Sequence, residues 1–206
     1  RVEQTLFSYV DNVSTWAFGK SYLNGDGTKQ GINNWHYMYT DETNTNGQYD
    51  VSKIKESWYA KRGVQRYTNI PFGIWMPGIF SKDTASFSWR QTADGYLSPN
   101  LPTSPYASAV LAWKAPADSV YSFDIQLFTN YSPIGLNADD DSVTVSVYGG
   151  ANKIVSECKK SPSFKTSQLK IHLNKGEYFY LIVDPNKNSN NDHAEDLDVL
   201  VKKVDD

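Results

Sequence analysis

The chain is predicted to be all-β: an antiparallel β-sandwich, jelly-roll-like, with long aromatic-rich loops and at most one short helix. Composition is the first ground. Its 206 residues hold 14 Tyr, 9 Phe and 6 Trp, and Thr, Ser and Val are abundant, residue types that suit a pleated, half-buried surface. Alternation is the second: from residue 107 onward apolar and polar residues exchange with a period of two, in runs bounded by Gly, Pro, Asn and Asp. Only one stretch reads as helical. A chain of this length buries a sizeable core without staples, and domain-size statistics favour one domain over 1–206.

Residues 1–32 carry the apolar clusters "TLFSYV" and "TWAFGKSYL" and then "NGDGTKQG", whose glycines Gly25, Gly27 and Gly31 suit a loop. A strand over "NWHYMY" follows, placing Trp35, Tyr37 and Tyr39 on one face with His36 and Met38 on the other. "TDETNTNGQYD" is a turn-rich connector. The segment 52–59 is expected as the short helix, with Ser52 as N-cap and Glu56 near the first turn. Residues 58–106 then read as long loops around short strands, with most of the prolines and Trp58, Trp75 and Trp89 among them. Loops of such length are usually functional or disordered, and this aromatic content argues against disorder.

"SAVLAWKAP" and "SVYSFDIQLF" are strands meeting at a turn that contains Pro116. "SVTVSVYGGANKIVSE" is a hairpin with Gly149 and Gly150 at its tip and Val143, Val145 and Val147 on one face. "SQLKIHLNKGEYFYLIVDP" reads as a second hairpin turning at Lys175 and Gly176, with Leu169, Ile171 and Leu173 facing the core opposite Phe179, Leu181 and Val183. A last strand runs through Leu197, Val199 and Val201. Such regular strands read as a sandwich.

The formal net charge is −3 with both signs interspersed. This gives no broad basic field for nucleic acid or an anionic membrane, and a neutral ligand fits better. The single cysteine, Cys158, cannot pair internally and reads as a small buried hydrophobe. No apolar run approaches a membrane span, and "RVEQTLFSYV" is too polar for a signal peptide.

An enzyme is not expected. The histidines are His36, His172 and His193, and His172 alternates outward from Ile171 and Leu173. No G-x-S-x-G, H-E-x-x-H or Cys-His pattern is present. Two oxygen-rich loops could hold structural Ca²⁺: "NADDDS" with Asp139, Asp140 and Asp141, and "VDPNKNSNNDHAEDLD" with Asp184, Asp192, Asp196 and Asp198. Neither has EF-hand spacing, and the competing reading is that Asn and Asp serve as turn formers. No cofactor is required.

The order of "NWHYMYTDETNTNGQY", "LAWKAPADSVYSFDI", "DDDSVTVSVYGG" and "VDPNKNSNNDHAEDLDVLV" over 33–204 resembles a family of bacterial extracellular β-sandwich modules found beside polysaccharide-handling enzymes and adherence proteins. The resemblance implies a jelly roll that binds polysaccharide or oligosaccharide, first of all an α-glucan such as starch, as a monomeric module of a larger secreted or cell-surface protein. It also implies that Trp35, Tyr37 and Tyr39 are core. Independently, sugar rings stack C–H-rich faces on Trp and Tyr while their hydroxyls seek planar polar groups, so aromatics in polar loops are the better candidates. Trp16, Trp113, Tyr121, Phe123 and Phe179 therefore read as core. Trp58, Tyr59, Trp89 and Tyr96 are expected in one cleft within 58–106, with Trp75 beside them and Arg90, Gln91 and Asp94 as hydrogen-bonding partners. The competing function is a structural or protein-binding sandwich of an adhesin or multi-enzyme scaffold.

Overall fold

The computed structural model describes residues 14–19, 29–64, 71–76, 89–91, 97–99, 107–129, 143–159, 163–187 and 194–204. In chain order its strands are β1 (Thr15–Gly19), β2 (Trp35–Thr40), β3 (Lys55–Glu56), β4 (Trp58–Val64), β5 (Pro71–Met76), β6 (Trp89–Gln91), β7 (Leu97–Pro99), β8 (Ser108–Lys114), β9 (Ser119–Thr129), β10 (Val143–Gly149), β11 (Asn152–Lys159), β12 (Ser163–Leu173), β13 (Tyr178–Asp184) and β14 (Ala194–Lys203). Among the described residues the only helical turns are 3-10, at Ile32–Asn34 and Val51–Lys53. None is long and apolar enough to cross a membrane.

Two antiparallel sheets face each other, as the alternation predicts. One has the order β1-β14-β9-β12 and the other β11-β10-β13-β8-β2-β3. Every second residue of each points inward, so Tyr121, Phe123, Ile125, Leu127, Leu197, Val199 and Val201 of the first meet Leu111, Trp113, Val143, Val145, Val147, Phe179 and Leu181 of the second in one core. Phe123 and Phe179 stack across it with centroids 4.3 Å apart. Trp113, fully buried, lies 4.9 Å from Trp16 and 4.8 Å from Tyr121. Aromatic pairs in such geometries contribute ~0.5–1.5 kcal/mol each beyond their area. Trp16 is core as expected, and Trp35, Tyr37 and Tyr39 are all buried.

Residues 152–159 do return along β10 as a hairpin. The expected hairpin over 167–185 does not form: β12 pairs with β9 in one sheet, whereas β13 lies between β10 and β8 in the other. Alternation cannot separate these outcomes, because Leu173 and Phe179 bury themselves in the same core either way. Crossing between sheets lets both apolar rows face that core. β8 and β9 cross at the same end through residues 115–118.

The expected helix over 52–59 is also absent. Asp50 caps a single 3-10 turn at Val51–Lys53, its Oδ1 accepting from the Ser52 N–H at 3.1 Å. The chain then extends, pairing Glu56 with Met38 and Lys55 with Tyr39, and continues past Ser57 into β4. Aromatic residues at 58 and 59 favour that extended course. Residues 58–106, expected as long loops around short strands, contribute a third sheet ordered β4-β5-β6-β7.

The six-stranded sheet is buried on its outer face as well. Met38, Val110, Ala112, Tyr148, Tyr180 and Ile182 form a second apolar cluster beneath Tyr49, Val51 and Ile54. Residues 41–54 thus lie across the sheet as a strap. Buried Asp184 fixes it: its carboxylate accepts from the N–H groups of Asn44 (2.8 Å), Thr45 (3.3 Å) and Asn186 (2.8 Å) and from the Tyr49 hydroxyl (2.6 Å). Burial and the neighbouring carboxylate hold the Tyr49 phenol far above its ordinary range. The Tyr148 hydroxyl donates to Gly47 O at 2.6 Å. Gly47 sits at φ +82°, and a Cβ there would fall 2.0 Å from Ser156 Oγ, so the strap's close approach needs glycine.

Candidate functional site

Three turns converge at the end of the sandwich where β8 passes to β9 and β12 to β13. Gly176 N–H donates to Ala115 O and Ala115 N–H to Glu177 O, both at 2.8 Å, binding the two corners together. The third turn precedes β2, where Gly31 at φ +85° turns the chain and the Asn34 side chain donates to Lys114 O at 3.0 Å. These turns enclose an open cleft of about 640 Å³ whose walls include Gly31, Asn34, His36, Lys114, Lys175 and Gly176.

Beside the cleft the outer sheet face opens to solvent at the row of Lys114 and Tyr178, next to Tyr180, which is buried in the second cluster. Trp35 pairs with Trp113 and Phe179 with Trp113, so the alternate residues His36, Lys114, Tyr178 and Tyr180 share the outward side. Tyr178 is half-buried and stacks on Tyr180 at 5.6 Å and 25°. The His36 ring meets Tyr178 edge-on at 5.5 Å, and Lys114 Nζ lies 5.9 Å from the Tyr178 centroid. Glu56 Oε1 stands 3.4 Å from His36 Nδ1. The result is an aromatic shelf with an imidazole, an amide, a carboxylate and two ammonium groups around it.

Burial raises the pKa of Tyr178, helped by Glu56, and pushes Tyr180 to about 12, so both rings are neutral phenols at physiological pH. Burial lowers His36 below 6.5 and outweighs the opposing pull of Glu56. The unfolded chain therefore binds this proton more readily than the folded one, and folding stability falls as pH drops below 6.5 towards the folded-state value. Measured by denaturant unfolding over that interval, a His36→Gln variant is expected to lose this part of the pH dependence. An unchanged slope would contradict the assignment.

The sequence-predicted residues are drawn partly together elsewhere, in the third sheet. Tyr59 pairs with Trp75, Trp75 with Trp89 and Trp89 with Pro99, forming one cross-strand row. Ile74, Arg90 and Ser98 form the next row, and Gln91 pairs with Leu97. Trp75 is not an open platform: it is 3% exposed, belongs to the main core and lies 5.1 Å from both Tyr37 and Tyr59. Tyr59 packs partly buried against the same core. Trp58 is half-buried and pairs with Met76, in a row alternate to that of Tyr59 and two residues beyond Glu56. Asp94 and Tyr96 lie outside the described residues.

Asp184 is placed as the strap's anchor, with both oxygens engaged by protein donors rather than turned to an ion. Asp139, Asp140, Asp141 and Asp192 lie outside the described residues, as does the Asp196 side chain. Among the described residues no group of three His, Cys, Asp or Glu is arranged to hold a metal. His172 is exposed on β12, as its alternation predicts. The shelf residues His36, Lys114 and Tyr178 were not selected by sequence reasoning. A signal was present at Tyr178, which alternates with core Phe179 immediately after the polar turn "NKGE".

No family model matches the chain, and no curated protein matches it. Among solved structures it is similar to a cyclase from Fischerella sp. TAU, at 10% identity over 94% of this chain and 100% of that one, TM-score 0.37. It is also similar to a Podospora anserina GH26-CBM35 β-(1,4)-mannanase, at 13% identity over 72% and 28% of the two chains, TM-score 0.33. A CBM35 from Paenibacillus barcinonensis aligns at 13% identity over 57% and 84%, TM-score 0.27. Likenesses at these TM-scores assign neither a ligand nor a reaction to this chain.

Proposed function

We propose that the chain is a non-catalytic glycan-binding module that holds a saccharide on the shelf at the sandwich end. One observation carries this reading: the half-buried Tyr178 ring, backed by Tyr180, borders an open cleft with Asn34, His36 and Lys114 at its margin. A sugar needs that combination, an apolar face for its C–H bonds beside planar and charged groups for its hydroxyls. The backing ring and the tied corners fix the platform before binding, which lowers the ordering cost of association. Trp58, two residues past Glu56, would extend the contact for a longer chain.

Affinity electrophoresis in gels containing starch, xylan, mannan, mixed-linkage β-glucan or a polyuronate tests the reading. Retardation by at least one polymer is expected. Unretarded migration in every gel would overturn it.

A further inference from the structure

We propose that the cleft beside Tyr178 selects a saccharide bearing an anionic substituent, a carboxylate or a sulfate, held by the ammonium groups of Lys114 and Lys175. The proposal rests on the glycan-binding reading and goes beyond it in naming the ligand's charge.

The argument is local. The whole chain carries −3, but both lysines belong to the walls of the cleft, and among the described residues no carboxylate lies within ion-pair distance of either ammonium group. The acids nearby are committed elsewhere. Asp118 Oδ1 accepts the Lys175 backbone N–H at 2.5 Å, Glu177 Oε2 accepts the Asn174 N–H at 2.9 Å, and Glu56 is turned to His36. The remaining titratable neighbours, His36 and Tyr178, stay neutral at pH 7 because burial disfavours their charged forms. The cleft therefore presents two ammonium groups that no carboxylate among the described residues pairs directly, with Glu56, Asp118 and Glu177 nearby but engaged by other donors.

A neutral sugar could use the ammoniums only as donors to its hydroxyls. A carboxylate or sulfate converts them into charge-assisted hydrogen bonds, roughly twice as strong as neutral ones. Lys114 Nζ also lies 5.9 Å from the centroid of the Tyr178 ring, within reach of a substituent on a sugar placed at that ring. An anionic group reaching from a stacked pyranose into the cleft would meet Lys114 first and Lys175 across it.

The test titrates matched oligomers of polygalacturonate, sulfated dextran and plain dextran at low and high salt. Wild type is compared with a Lys114→Gln/Lys175→Gln variant and with Lys202→Gln/Lys203→Gln, which removes two exposed lysines on β14 instead. Wild type is expected to bind at least one anionic oligomer about tenfold or more tighter than dextran at low salt. The cleft variant should lose about fivefold or more of that affinity with dextran unaffected, and the β14 variant should match wild type. The preferred anionic arm distinguishes carboxylate from sulfate. Equal or weaker binding of both anionic oligomers overturns the proposal while leaving glycan binding intact, and so does an equal loss in the β14 variant, which would mark a diffuse charge effect. Binding of no saccharide at all overturns the glycan-binding reading itself.

Discussion

Replacing Asp184 with alanine is expected to lower the unfolding free energy by about 3 kcal/mol or more. Its carboxylate is fully buried and accepts from the Asn44, Thr45 and Asn186 N–H groups and the Tyr49 hydroxyl. Alanine leaves four donors without an acceptor. Each buried donor so orphaned costs ~1–3 kcal/mol, and water entering the space recovers part of that. The damage propagates, because three of those donors, on Asn44, Thr45 and Tyr49, sit on the strap that covers Met38, Tyr148, Tyr180 and Ile182. Once the strap lifts, part of that apolar surface returns to water at ~25 cal/mol per Å². Asp184→Asn keeps the shape but turns an amide N–H group towards other donors, so it should fall between wild type and alanine. Urea unfolding reads the loss as a lower midpoint, and hydrogen exchange should show the amides of Asn44, Thr45 and Tyr49 losing protection first. A loss below about 1 kcal/mol would mean that the strap is held by its apolar contacts and not by this carboxylate.

Asp184 also illustrates what the sequence could and could not convey. An aspartate before an Asn-rich turn reads as a calcium ligand or a turn former, and the partners that make it a hydrogen-bond hub instead, Asn44, Thr45 and Tyr49, lie far away in the chain. Periodicity, by contrast, was legible wherever one strand face meets the core. Val143, Val145 and Val147, Leu197, Val199 and Val201, and outward His172 all lie as their alternation requires. It was silent on pairing: Leu169 to Leu173 and Phe179 to Val183 have the same inward pattern whether they form one hairpin or face each other across the sandwich. The helical reading of 52–59 failed because extended pairing of Lys55 and Glu56 with β2 overrode a plausible cap. Trp75 was misplaced because a tryptophan among irregular, glycine- and proline-containing sequence looks exposed, whereas sheet three turns it onto Tyr37.

The shelf was the least legible part. His36, Lys114 and Tyr178 come from β2, β8 and β13, and only the register of those strands sets them side by side. Each alone reads as an ordinary outward residue of a strand. Their proximity follows from the order of the six-stranded sheet, in which β13, β8 and β2 are successive neighbours.

Removing the Tyr178 ring should therefore abolish most of the saccharide affinity without unfolding the protein. Stacking on an aromatic side chain contributes ~1–3 kcal/mol in nucleic-acid complexes, and a comparable contribution here corresponds to about tenfold or more in Kd. Tyr178 is half-buried at the sheet's end, outside the main core and packed at the margin of the second cluster, so its loss should lower the melting temperature while leaving the protein folded. Tyr178→Phe retains the ring and should retain most of the binding, which separates stacking from any hydrogen bond made by the hydroxyl. The decisive measurement is a calorimetric titration of wild type, Tyr178→Ala and Tyr178→Phe with an oligosaccharide of the polymer that retards the protein most, with a thermal melt of each. A Kd raised about tenfold or more in Tyr178→Ala, near wild type in Tyr178→Phe and with all three proteins folded, is the predicted result. A folded Tyr178→Ala protein that binds as tightly as wild type would contradict the placement of the glycan on this shelf.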